Sequence, residues 1–198
     1  MKKLVFFASG SGTNFQSVID AVEKGMINAQ IAGLITNKKG IKAIERAEKN
    51  DIPVQILAPA GFERSAEYEK ELLNILERWN PYLIVLAGYL LKIPDLVIEK
   101  YEGRIINIHP SLLPDYGGKG FYGMKVHQAV LKGGEIETGC SVHVVTREYD
   151  EGPVLAQRKV SVHQTDTPDQ LAQRVLEQEH QLLPEVIKHL VDDLKTYS

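Results

Sequence analysis

Cysteine is almost absent: Cys140 stands alone, so no intrachain disulfide can form and no paired-cysteine metal module is encoded. A reducing compartment, the cytoplasm, is the expected setting. Basic charge is not in excess either. The net charge is -3, which argues against the phosphate-neutralising surface of a nucleic-acid binder and leaves small molecules as the expected partners. Long apolar runs are missing: Leu83 to Ala87 falls far short of the roughly 18 residues a membrane span needs. Met1-Lys2-Lys3 before Leu4 to Ala8 imitates the start of a signal peptide, but its apolar run is too short. No repeat, low-complexity tract or linker interrupts the chain, and 198 residues suffice for one sizeable core. One domain over 1–198 is expected, as a monomer or homodimer.

What the chain does have is a recurring alternation. Leu4 to Ala8 is wholly apolar and bounded by Ser9-Gly10-Ser11-Gly12-Thr13-Asn14, as expected of a strand buried on both faces. Phe15, Val18, Ile19 and Val22 follow at helical spacing, with Thr13 or Asn14 placed to cap the helix and Gly25 to end it. The pattern repeats through strands at Ile31 to Ile35, Val54 to Leu57, Leu83 to Ala87 and Arg104 to His109, with helix faces between them. Cys140 to Val145 and Val154 to Val160 read as an antiparallel pair, and Thr167-Pro168-Asp169 opens a long last helix that Pro184 is expected to kink. The fold class is therefore α/β: a doubly wound, mostly parallel Rossmann-like sheet with a C-terminal antiparallel strand pair and a long final helix.

Chemistry concentrates at Asn107-Ile108-His109-Pro110-Ser111-Leu112-Leu113-Pro114. In an extended segment Asn107 and His109 point one way and Ile106 and Ile108 the other, while Pro110 and Pro114 stiffen the turn. For an isolated Asn-x-His, side chains that merely satisfy local backbone are an equally complete explanation. The glycine loop Ser9 to Asn14 offers free N–H groups at a helix start, suited to a lone phosphate. It lacks the Gly-Lys-Ser/Thr of a P-loop, and Phe15 replaces the third glycine of a dinucleotide fingerprint. A plain tight turn fits as well. Asp150 could pair with His109 and hold it as imidazolium, or could serve only the Asp-Glu-Gly-Pro turn. His109, His127 and His143 lack metal-ligand spacing, so no metal is expected; His163, His180 and His189 read as surface or helix residues, and His143 reads equally well as a hydrogen-bonded structural residue. Position favours function: the glycine loop, Gly88 to Ile93, Asn107 with His109, and Thr146 to Asp150 each follow a strand, and in an open parallel sheet ligands bind at that edge. The loop Gly117 to Gly123, with Phe121 and Tyr122, is expected to be mobile and to cover the site.

Ser-Gly-x-Gly-Thr-Asn after the first strand, Asn-Ile-His-Pro-Ser-Leu-Leu-Pro, Gly-x-Ser-Val-His and Asp-x-Gly-Pro together make the chain resemble the phosphoribosylglycinamide formyltransferase family, from first strand to final helix. The resemblance implies formyl transfer from 10-formyltetrahydrofolate to the amine of glycinamide ribonucleotide, in purine synthesis, without a metal. It implies Asn107, His109 and Asp150 as catalytic residues with Ser141 and His143 in support. Gly12, Thr13, Asn14 and Glu179 would bind the ribonucleotide; Leu90, Leu91, Lys92, Ile93, Asn107, Thr146, Arg147, Glu148, Tyr149 and Asp150 would bind folate. Arg64 falls one place before the family's folate-side arginine, a position Ser65 occupies, and is carried as a folate residue. Other folate-dependent formyl enzymes share the trio but would need an additional N- or C-terminal domain. The alternative from another class is a non-catalytic nucleotide-binding module, which would need only the phosphate loop.

Overall fold

The computed structural model describes residues 1–192; residues 193–198 of the expected domain lie outside the described part. Seven strands form one sheet. They are β1 (Lys2–Phe7), β2 (Ala29–Thr36), β3 (Val54–Ile56), β4 (Leu83–Leu86), β5 (Ile105–His109), β6 (Glu137–Val144) and β7 (Val154–Ser161). They lie in the order β3-β2-β1-β4-β5-β6-β7. The first five are mutually parallel, whereas β6 runs antiparallel to β5 and β7 antiparallel to β6. The chain order reverses beside β1, which leaves a crevice between β1 and β4 at their carboxyl ends.

Two cores explain the two-sided apolar strands. On β1, Leu4 and Phe6 pack with Phe15 and Val18 and with Val175 and Leu183, while Val5 and Phe7 pack on the other face with Leu72, Ile75 and Val97. Each face is closed by helices: α1 (Thr13–Glu23), α5 (Met124–Gly133) and α6 (Pro168–Asp192) on the first, α3 (Ser65–Trp79) and α4 (Asp95–Lys100) on the second. The small α2 (Lys42–Lys49) contributes Ala43 and Ala47 to the first core. A single turn of 3₁₀ helix at Pro59–Gly61 had no periodic signal in the sequence.

One expectation is corrected. Neither Thr13 nor Asn14 caps α1; Gly12 occupies the cap in the left-handed conformation (φ 68°), and no side chain bonds the exposed N–H groups there. A side chain at Gly12 would in addition collide with Ala43, whose Cβ would lie 2.7 Å away. Helix α6 runs through Pro184 as one continuous element. No described helix is long and apolar enough to cross a membrane.

Candidate active site

A cavity of about 1030 Å³ opens over the carboxyl ends of the parallel strands. Asn107 and His109 project into it from β5 because they share one face of the strand, and register places them opposite His143 and Ser141 on β6. The cavity lining is supplied by two sets of segments, or arms. One is built from the glycine loop Gly10 to Asn14 together with Gln173 and Glu179 of α6; the other from Leu90 to Ile93 and the turn Thr146 to Asp150.

The glycine-loop arm carries unsatisfied polar groups. Asn14 donates its amide Nδ2–H to Glu179 Oε2 at 2.6 Å, whereas Asn14 Oδ1 is buried without a partner. Burial pushes the Glu179 carboxyl up to about 7, against the stabilising Asn14 hydrogen bond. An orphaned acceptor beside a buried carboxyl, next to the uncapped start of α1, suits a ligand that brings hydroxyl and anionic groups. Ser9, at the base of the loop, ties the two arms together: its Oγ accepts from the Leu90 N–H at 3.0 Å and donates to Asn37 Oδ1 at 2.6 Å.

The titratable groups His109, His143 and Asp150 line the same cavity. Asp150 occupies the left-handed region (φ 57°), an unusual place for a non-glycine residue and a known mark of functional sites. The turn can fold back so closely because Gly152 lies against the Val144 carbonyl, where a Cβ would approach to 1.8 Å. Asp150 Oδ2 lies 3.6 Å from His109 Nδ1, and Oδ1 lies 3.4 Å from His143 Nε2. His109 donates its Nε2–H to the Tyr116 carbonyl at 2.9 Å, and the Gly118 N–H donates to Asp150 Oδ2 at 2.9 Å. Tyr116 to Gly118, where the glycine-rich loop begins, thus touches both groups. His143 donates Nδ1–H to the Val144 carbonyl at 3.0 Å, so its Nε2 can accept from the Asn107 amide at 3.1 Å. Asn107 Nδ2 carries two hydrogens, so the second remains for a ligand.

Electrostatics here corrects one expectation. Burial holds the His109 imidazole below its ordinary pKa and outweighs the raising effects of Asp150 and the Tyr116 carbonyl, so the resting ring is neutral rather than imidazolium. For Asp150, burial alone would raise the pKa; a proton on the facing nitrogen of His143 or His109, together with the Gly118 N–H, holds it below the ordinary value. The pair is therefore a neutral imidazole beside a carboxylate, with Nδ1 facing the charge.

The other residues singled out in the sequence divide clearly. Leu90, Leu91, Lys92, Ile93, Thr146, Arg147, Glu148 and Tyr149 line the second arm. Lys92 pairs with Asp95 and Arg147 with Glu99, both acids on α4. Ser141 lies outside the cavity: its hydroxyl donates to the Ser111 carbonyl at 2.6 Å and accepts from the Leu113 N–H at 3.0 Å, which pins the Pro110 to Pro114 turn under His109. The structure does not bring Arg64 to the cavity; its side chain is exposed and paired with Glu67. In the sequence His127 draws notice only as a metal ligand and Gln173 not at all; both line the wall. For His127 a signal existed, since it falls three residues before Val130 on the buried stripe of α5.

A family model described as formyl transferase matches residues 2–187. The chain belongs to the formyl transferase family. Among family members, the phosphoribosylglycinamide formyltransferase of Bacillus subtilis (strain 168) is 38% identical over 191 residues, 96% of this chain and 95% of that protein. The chloroplastic phosphoribosylglycinamide formyltransferase of Arabidopsis thaliana is 42% identical over 193 residues, 97% of this chain; the chain spans only 66% of that relative's length. A crystal structure of glycinamide ribonucleotide transformylase 1 from Geobacillus kaustophilus superposes with a TM-score of 0.90 at 39% identity, covering 96% of this chain and 99% of that one.

Proposed function

We propose that this formyl transferase family member acts as a single domain that transfers the formyl group of 10-formyltetrahydrofolate to the amine of glycinamide ribonucleotide, a step of purine biosynthesis. The observation that carries this reading is the meeting of Asn107, His109 and Asp150 in one cavity whose lining both arms supply. The glycine-loop arm suits the ribonucleotide: backbone N–H groups at the start of α1 would hold its phosphate, with Asn14 and Glu179 toward its hydroxyls. The second arm suits the pterin, with apolar walls at Leu86, Ile93 and Val145 and backbone polar groups at Thr146 to Asp150. Arg64 has no part in that arm, and the cations at its rim are Lys92 and Arg147.

When bound, the folate supplies an activated formyl group. Amine attack on that carbon creates an oxyanion and releases a proton. The free Asn107 N–H is the donor for the oxyanion, and His143 fixes the amide's orientation. His109 accepts the proton at Nδ1, because Nε2–H is committed to the Tyr116 carbonyl. Asp150 then stabilises the imidazolium across the 3.6 Å gap, and His109 returns the proton to the departing folate nitrogen. A positioned acid-base group of this kind contributes about 10²- to 10⁴-fold. The purified protein, given both substrates, should form the N-formyl product and tetrahydrofolate in equal amounts by mass spectrometry. Absence of product with both present would overturn the assignment.

A further inference from the structure

His127 has no part in the mechanism above, yet it is one of the costliest polar groups in the site wall. The residue is only 5% exposed. Nδ1 is sealed from solvent with no hydrogen-bond partner, and no described residue bonds either ring nitrogen. Buried polar atoms are almost always paired, so an orphan of this kind calls for a compensating role. The residue nevertheless forms part of the cavity wall.

We infer that His127 is a positioning residue for the ribonucleotide, donating its Nε2–H to an uncharged oxygen of the ribose or glycinamide portion. Three features lead there. With no acceptor near Nδ1, the proton belongs on Nε2, the nitrogen able to meet a ligand. Burial, reinforced by His109, pushes the pKa down to about 4, so the ring is neutral at working pH and offers one ordinary donor rather than a charge. Helix α5 packs against α6, which carries Gln173 and Glu179 of the glycine-loop arm, and this neighbourhood is the ground for assigning His127 to the ribonucleotide rather than to the folate. A neutral donor selects a carbonyl or hydroxyl oxygen; the phosphate is left to the start of α1.

This inference rests on the assignment of the glycine-loop arm to the ribonucleotide. His127→Phe keeps a flat ring and removes the donor, whereas His127→Gln restores a terminal N–H. In steady-state assays of the full chain, His127→Phe should raise the ribonucleotide KM about tenfold, the effect of one lost hydrogen bond. Its folate KM should stay within about twofold, and His127→Gln should recover most of the loss. Thermal unfolding of both variants checks that the fold is retained, and calorimetry with the ribonucleotide alone reads the same contrast without turnover. Equal KM values for the Phe and Gln variants would make His127 a packing residue and overturn the inference while leaving the formyl transfer intact. Wild-type protein that binds the ribonucleotide with no formyl transfer would instead overturn the assigned reaction.

Discussion

At the scale of single residues, the site sets a carboxylate that is held ionised beside a histidine whose neutral form is favoured. Asp150 raises the His109 pKa even though burial dominates, so Asp150→Asn should lower it further, and NMR titration of His109 in both proteins reads the difference. The same variant should lose turnover by about two orders of magnitude or more with little change in either KM, because the carboxylate interacts with the ring most strongly once the ring is charged. Unchanged turnover with an unchanged His109 pKa would reduce Asp150 to a turn residue. Its Oδ2 also accepts from the Gly118 N–H, so amide exchange at Gly118 should quicken if substitution by alanine removes that acceptor.

At the scale of elements, the site depends on how closely loops can approach strands and helices. Gly12 has φ 68° and lies where a Cβ would meet Ala43 at 2.7 Å. The atoms this Cβ would crowd are the Cβ and Cα of Ala43 in helix α2, at 2.7 and 2.9 Å, not the flexible end of a side chain. Gly12→Ala should therefore cost roughly 1 to 3 kcal/mol of stability in urea titration. It should also raise the ribonucleotide KM, since the displaced backbone is the start of α1. Retained stability and KM would show that the α1–α2 contact yields freely. A dephosphorylated ribonucleotide provides the complementary measurement: its affinity should fall by at least about 1.5 to 3 kcal/mol if the loop binds the phosphate.

At the scale of the whole molecule, much of this arrangement was legible in the sequence because sheet physics made it so. Apolar runs at Leu4 to Ala8 and Leu83 to Ala87 require cover on both faces, which dictates helices between parallel strands and gathers their following loops on one edge. Alternation along β5 then aims Asn107 and His109 together. What the sequence did not disclose depended on contacts between distant segments: the Tyr116 carbonyl on His109, the exposed pairing of Arg64 with Glu67, and the net neutrality of His109, where burial competes with charge. The same competition predicts how stability varies with pH. Glu179 has a folded pKa of about 7 against an ordinary 4.5, so the folded state binds its proton more tightly than the unfolded chain does. That stabilisation is fully present below pH 4.5 and is lost as pH rises toward and through 7. His127 acts in the opposite sense: its folded pKa of about 4 lies below the ordinary 6.5, so its neutral ring favours folding above pH 6.5 and that contribution is lost as pH falls toward 4. Replacing Glu179 by glutamine should remove only the first effect. Relative to wild type, Glu179→Gln should therefore gain stability steadily between about pH 4.5 and 7 and then level off, in urea titrations run at a series of pH values. A difference between the two proteins that stays flat across that window would mean that Glu179 is ionised and solvated in the free protein, and the buried carboxyl could then not be what the ribonucleotide arm holds ready for a ligand.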